Sequence, residues 1–299
     1  MSELTLAVAP VAQAASWRDY VTLTKPRIMS LLVLTAVCAM VAAAHGVPSL
    51  TALAALVIGG ASACGGAGAF NHVIDRDIDR LMGERTASRP VAAGRIAPER
   101  AVAFGVVLSV CSFVVLATVD NVLAAALALA GNLFYVLVYT RWLKRATPQN
   151  IVIGGAAGAI PPLAGWAAAS GHLGLGALLL FLIVFAWTPP HFWALALLLE
   201  RQYAAACVPM LPVVRGTVVT VRAVLLYSVV LFAVTLVPAA LGTFGLPYLV
   251  AASVLGAVFV LLAARLWRSS TPGRASALFH YSLLYLALLF AAVAVDAAI

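Results

Sequence analysis

Charge is scarce in this sequence. Of 299 residues, 10 are acidic and 18 basic, and charged side chains make up 9% of the chain. A soluble chain of this length carries about 25%. With 64% of the residues hydrophobic, the shortage excludes a large soluble helical protein and points to a polytopic membrane protein of about one domain. Cysteine is nearly absent too. Cys38, Cys64, Cys111 and Cys207 form no CxxC pair, and three lie inside apolar runs. That excludes a thiolate zinc site and a disulfide framework, and leaves the cysteines as small hydrophobes. The first 24 residues contain Glu3 and Asp19 and lack both an Arg-rich amphipathic pattern and a signal-peptide layout. Insertion is therefore expected to start from the first membrane-spanning helix.

Long apolar runs are plentiful. Nine approach or exceed the roughly 20 residues that cross a bilayer: 28–46, 51–72, 99–119, 121–140, 151–170, 174–196, 219–241, 247–267 and 279–298. The turns between them hold Gly46-Val-Pro48, Asp120-Asn121, Ser170-Gly-His172 and the 242–247 stretch, all short, polar or helix-breaking. Nine spans make successive loops alternate sides. All 18 Lys and Arg then fall on one side, with the N-terminus and the loops after spans 2, 4, 6 and 8, and none on the other. The positive-inside rule predicts a cytoplasmic N-terminus and an outside C-terminus. The net charge of +8 is thus an orientation device and a contact for anionic lipid, and no nucleic-acid partner is expected. The predicted organisation is an N-terminal cytoplasmic segment, 1–24, and a single intramembrane domain, 25–299, with no internal repeat.

Orientation alone does not explain why six basic residues crowd into the loop after span 2, beside acids. Asn71, Asp75 and Asp79 sit at four-residue intervals there. At about 100° per residue, each step turns a helix by about 40°, so the three share one face. Acids at the mouth of a membrane helix are costly. Two carboxylates and an amide suit a hard cation such as Mg²⁺, which suits a phosphate ligand. Arg85 and Arg89 can then grip further phosphate oxygens. The bland alternative is a capped helix end with Asp–Arg pairs. Asp77 faces elsewhere and is expected to pair with a loop arginine.

Two further segments complete the pattern. Span 6 ends Trp187-Thr188-Pro189-Pro190-His191-Phe192-Trp193, where a double proline frees backbone groups. His191 is a candidate ligand, proton carrier or hydrogen-bonding group, or a core histidine satisfied by a carbonyl. The aromatics beside it are equally packing residues or an interfacial belt. Span 4 ends near Lys144 and Arg145, candidates for a phosphate-binding mouth, and Asn150 can cap span 5. Gly154, Gly155 and Gly158 permit a close helix neighbour. Lys25-Pro26-Arg27 either joins the mouth or anchors span 1.

Asn71/Asp75/Asp79 followed by Arg85-Thr86 and Arg89-Pro90 resembles the intramembrane UbiA-type prenyltransferase superfamily. Thr24-Lys25-Pro26-Arg27, the 187–193 segment and Pro209-Met210-Leu211-Pro212-Val213-Val214 resemble its haem-farnesylating branch. The likeness runs from about Thr24 to span 9. It implies an all-α bundle of nine transmembrane helices around a central cavity, in the bacterial inner (cytoplasmic) membrane. It implies farnesyl diphosphate and haem B as substrates and Mg²⁺ as cofactor, with a haem A synthase or terminal oxidase taking the product. The farnesyl group would join the 2-vinyl group of haem with addition of water. Carried over, Asn71, Asp75 and Asp79 hold the metal with Arg85 and Arg89 assisting, and His191, Lys144, Arg145, Asn150, Tyr203 and Arg215 bind substrates. The branch usually has Asp-Tyr where this chain has Gln202-Tyr203, so one Mg²⁺ site is expected, with Glu200 the nearest substitute acid. Competing readings are a prenyltransferase of another acceptor, such as a quinone-precursor ring, and a transporter or haem-binding membrane protein. Charge clustered at one membrane face and the lack of inverted repeats argue against a transporter.

Overall fold

The computed structural model describes residues 15–299 and shows no strand among them. Of the predicted N-terminal segment, residues 1–14, with Glu3, lie outside the described residues. Nine helices among the described residues are long and apolar enough to cross a membrane: Pro26–Ala44, Leu50–Ile74, Pro98–Asp120, Val122–Ala146, Asn150–Ser170, Leu175–Leu198, Leu211–Ala240, Leu246–Arg268 and Pro272–Ala298. Number and order match the sequence pattern. The chain is a multi-pass membrane protein.

Local chemistry sets the span ends. Pro26, Pro98 and Pro272 open their helices, where the missing N–H costs nothing and φ is already helical. Ser49 and Asn121 cap spans two and four by accepting the N–H of Ala52 at 3.2 Å and of Ala124 at 2.9 Å. Three boundaries depart from the pattern. Span four runs on to Ala146 because Phe134–Leu143 is wound as a π-helix that continues into Lys144–Ala146. Helix also precedes the seventh run, from Leu211, but Gly216 (φ 75°) breaks it from the span proper. Span nine begins at Pro272, seven residues early, since Ala275 and Leu278 already give its first turns a buried face.

The spans form a closed ring. Each packs on its neighbour in sequence, the first also packs on the fifth, and the ninth returns to the first and sixth. Close approach rests on missing side chains: a Cβ on Gly165 would strike the backbone of Ala36, and one on Gly155 would lie 3.1 Å from Cβ of Thr188. Large apolar side chains such as Val110, Leu226, Val254 and Leu261 face outward, whereas Thr35, Ser112, Thr220, Ser228 and Ser282 are buried. This inside-out polarity suits lipid.

Two connections fold over the basic end. Ile78 and Met82, after span two, share one buried apolar cluster with Tyr203, Val208 and Met210, after span six. The short helix Trp17–Leu23 packs on the first of these connections, with Leu23 beside Val91 and Ile96. Its Asp19 accepts the Ser16 N–H at 3.0 Å and the Arg95 Nε–H at 2.9 Å. Those bonds, the Ser16 N–H foremost, hold its carboxyl below the usual carboxylate range.

Candidate functional site

Asn71 ends span two, Asp75 forms its C-cap, and Asp79 lies on the short helix Arg76–Leu81. The chain stays helical enough across Asp75 for the Asp79 N–H to donate to the Asp75 carbonyl at 2.8 Å. The four-residue spacing therefore keeps all three side chains together. Asn71 Nδ2 donates to Asp75 Oδ2 at 2.8 Å. All three are buried, at 3%, 0% and 1% exposure. Carboxylates so removed from water must be paired.

Each has a cation from another part of the chain. Lys144, at the end of span four, donates Nζ–H to Asp75 Oδ2 at 2.5 Å. Arg89 reaches Asp79 Oδ1 at 2.5 Å. Lys25 donates to Asn71 Oδ1. Lys25 sits at φ 53°, a region that non-glycine residues seldom occupy, and Pro26 follows it at the head of span one. Burial, reinforced by the positive Arg89, lowers its ammonium to about 7. Burial raises the Asp79 carboxyl against the opposing pull of Arg89.

Two carboxylate oxygens remain over. Asp75 Oδ1 and Asp79 Oδ2 are sealed from solvent and accept no hydrogen bond. Buried unpaired oxygens on two neighbouring acids, with an ammonium on the adjacent amide oxygen, fit a hard divalent cation. Among the described residues no three His, Cys, Asp or Glu side chains converge as a metal cage. A cation held here would complete its shell with oxygens that the protein does not supply, as Mg²⁺ does with phosphate.

Other predicted residues divide. Arg145 donates to both oxygens of Asp77, at 2.8 and 2.7 Å, and to the Ile74 carbonyl at 2.8 Å. It closes the end of span two, and its hydrogen bonds pull the Asp77 carboxyl down to about 2. Its nearer nitrogen is 4.0 Å from Asp75 Oδ1. Tyr203 is buried beside Arg89 and Asp75, and burial raises its hydroxyl to about 12. Arg85 and Arg215 are exposed, and neither side chain bonds within the site. Asn150 is buried, but its Nδ2 donates to the Thr147 carbonyl at 2.6 Å, so it is not the cap of span five. Gln202 faces the Gly83 turn. Glu200 lines a cleft with Thr217, Ser270 and Thr271, toward spans seven to nine, and does not stand in for an acid at the site.

His191 occupies a separate place, between spans six and nine. Its ring stacks on Trp187 at 4.3 Å and on Phe279 at 5.0 Å. Its Nδ1 lies 2.6 Å from Ser282 Oγ, and that hydroxyl donates to the Phe279 carbonyl at 2.6 Å. The serine oxygen thus accepts from Nδ1–H, which leaves the lone pair on Nε2. Trp187 Nε1 donates to the Ser282 carbonyl at 2.8 Å. Lys25, left in the sequence between the mouth and an anchor for span 1, stands at the site, whereas Thr140 and Ser282 were not candidates there.

Comparison with known proteins follows this geometry. Residues 32–291 match the UbiA prenyltransferase family. "Protoheme IX farnesyltransferase" of Roseiflexus castenholzii is 51% identical over 282 residues, which is 94% of this chain and 52% of that protein. The chain thus spans about half the length of some of the curated relatives it matches. The protein of the same name from Gloeobacter violaceus is 51% identical over 284 residues, 95% of this chain and 93% of its own length. A UbiA homolog from Archaeoglobus fulgidus bound to GPP and Mg²⁺ has the same fold, with a TM-score of 0.65 at 17% identity over 92% of this chain and 99% of that one.

Proposed function

Because the chain belongs to the UbiA prenyltransferase family, we propose that it transfers the farnesyl group of farnesyl diphosphate to the 2-vinyl group of haem B, giving haem O and diphosphate. The observation that carries this is the buried set of Asn71, Asp75 and Asp79, paired with Lys25, Lys144 and Arg89 and keeping two carboxylate oxygens free. The haem acceptor is supported by the name and near-complete coverage of the Gloeobacter relative.

Asn71, Asp75 and Asp79 would hold Mg²⁺, which when bound supplies positive charge to the diphosphate oxygens. The chain's own residues do the rest. Lys25, Lys144 and Arg89 already surround the carboxylates, and they turn to the diphosphate as it arrives. The farnesyl C1–O bond breaks and diphosphate leaves with the electron pair, stabilised by these fixed charges. The farnesyl chain lies among apolar spans, which keep water from C1 until the vinyl carbon attacks. Water then adds to the cation beside the pyrrole ring and loses a proton, leaving a hydroxyethylfarnesyl group. The aromatic frame around His191, with Nε2 unprotonated, is the haem side of the site.

The basic end belongs in the cytoplasm of a bacterial inner membrane, where polar ends of both substrates meet the charged mouth. A haem A synthase or terminal oxidase would take the product. The test is a product assay in nanodiscs with haem B, farnesyl diphosphate and Mg²⁺, and an EDTA control. A haem heavier by one farnesyl and one hydroxyl group, absent with EDTA, is expected. Unchanged haem from folded protein would move the acceptor to another ring system.

A further inference from the structure

We propose that Thr140 is a positioning residue that orients the Asn71 amide so that its oxygen faces the cation; this rests on the prenyl-diphosphate reading above. Five threonines are buried among the described residues. Thr35, Thr188, Thr220 and Thr235 each return their hydroxyl to a carbonyl of their own helix, at 2.6–2.9 Å, the usual habit of threonine inside a helix. Thr140 does not. It lies in the π-wound stretch Phe134–Leu143, is 0% exposed, and accepts Asn71 Nδ2–H at 3.1 Å from the neighbouring span.

An amide has two ends, and only one can ligate a hard cation. Asn71 now gives its nitrogen to Asp75 Oδ2 and Thr140 Oγ1 and its oxygen to the Lys25 ammonium. Turned over, it would set its nitrogen against that ammonium and its oxygen against the Asp75 carboxylate. The Asp75 contact weakens once a divalent cation draws on that carboxylate. The Thr140 contact does not, because a neutral hydroxyl on another span is indifferent to the metal. Thr140 is thus the partner that holds the amide oxygen inward in the loaded site, as outer hydrogen-bonding groups commonly hold metal ligands.

The test uses the whole protein in nanodiscs, with Mn²⁺ as probe and an unreactive farnesyl thiodiphosphate, followed by electron paramagnetic resonance. Thr140→Val removes the hydroxyl at nearly constant shape and is expected to weaken Mn²⁺ binding about tenfold, with the metal-free melting temperature lowered by about 2–4 °C as one buried N–H loses its acceptor. Thr140→Ser should stay within about twofold of wild type. In Asn71→Ala the further change Thr140→Val should add nothing, since Thr140 acts only through Asn71. Thr140→Ala repeats the measurement if the valine variant folds poorly. Equal Mn²⁺ affinity in wild type and the valine or alanine variant, no rescue by serine, or additive losses in the double variant would each overturn the proposal. Wild type that takes up no Mn²⁺ with the analogue would overturn the prenyl-diphosphate reading beneath it.

Discussion

Asp75→Asn separates the chemistry of the site from its stability. Asp75 is fully buried and holds Lys144 at 2.5 Å, and Lys144 is itself 11% exposed by side chain. The amide keeps the shape and removes the charge, so Lys144 is left buried without its partner. Breaking a buried pair on one side costs about 3–5 kcal/mol. The wet edge of Lys144 favours the lower figure. At about 2 °C per kcal/mol for a chain of this size, the melting temperature should fall by roughly 6 °C. Turnover should fall about 10²–10³-fold, the size of losing one fixed electrostatic contact in a transition state. Asp75→Asn/Lys144→Met removes both charges and should regain most of the lost stability without regaining turnover. The assays are a melting curve in detergent and haem product by mass spectrometry. A single variant that keeps more than about a tenth of wild-type turnover would refute the role of Asp75. So would a double variant whose activity returns with its stability, because the acid would then be only the partner of a lysine.

Other parts of the molecule carry predictions of their own. His191→Ala should raise KM for haem about tenfold and leave farnesyl diphosphate binding within about twofold, since the ring lies between spans six and nine and bonds to Ser282 rather than to the acids; equal loss for both substrates would make it structural. Arg145→Ala should cost only about 0.2–1 kcal/mol, as an exposed pair does, because Arg145 and Asp77 are 37% and 59% exposed; turnover below about a third of wild type would show that Arg145 acts on substrate. Gly165→Ala should lower the yield of folded protein sharply, because the new methyl meets the Ala36 backbone and a main chain cannot step aside as a side chain does; normal melting behaviour would refute that packing.

What could be read from the sequence depended on the range of the physics. Nine spans follow from local hydropathy and show again as nine long apolar helices among the described residues. The one-sided face of Asn71, Asp75 and Asp79 follows from helix pitch and survives the bend at Asp75. Assignment of cations to acids was not legible, because it is a long-range choice. Sequence distance favours Arg85 and Arg89 as phosphate ligands alike. In the fold Arg89 turns in to Asp79, whereas Arg85, on the short helix Glu84–Ala87, points to solvent. Lys144 and Arg145 are adjacent, yet about 100° of turn sends one to Asp75 and the other to Asp77. The contact of Thr140 with Asn71 was not legible for another reason: it lies in a π-wound stretch that no hydropathy pattern encodes.

The pairing of acids and cations also answers a problem that the membrane sets. A metal and diphosphate site needs opposite charges close together at the end of an apolar bundle. Left unpaired there, each would be expelled or neutralised. Two carboxylates with Lys25, Lys144 and Arg89 solve this without ligand, since each acid already has a cation within about hydrogen-bond distance. The same groups suit the loaded state. On the proposed reaction, a divalent cation drawing on both carboxylates and on the Asn71 amide oxygen would loosen all three positive side chains beside it, where a diphosphate would place its negative charge. Neither ligand alone completes that exchange. A bare cation would strand three positive groups, and a bare diphosphate would strand two carboxylates. On the proposed reaction, metal and diphosphate therefore enter as one complex. Each should tighten binding of the other by the same factor, as linkage requires.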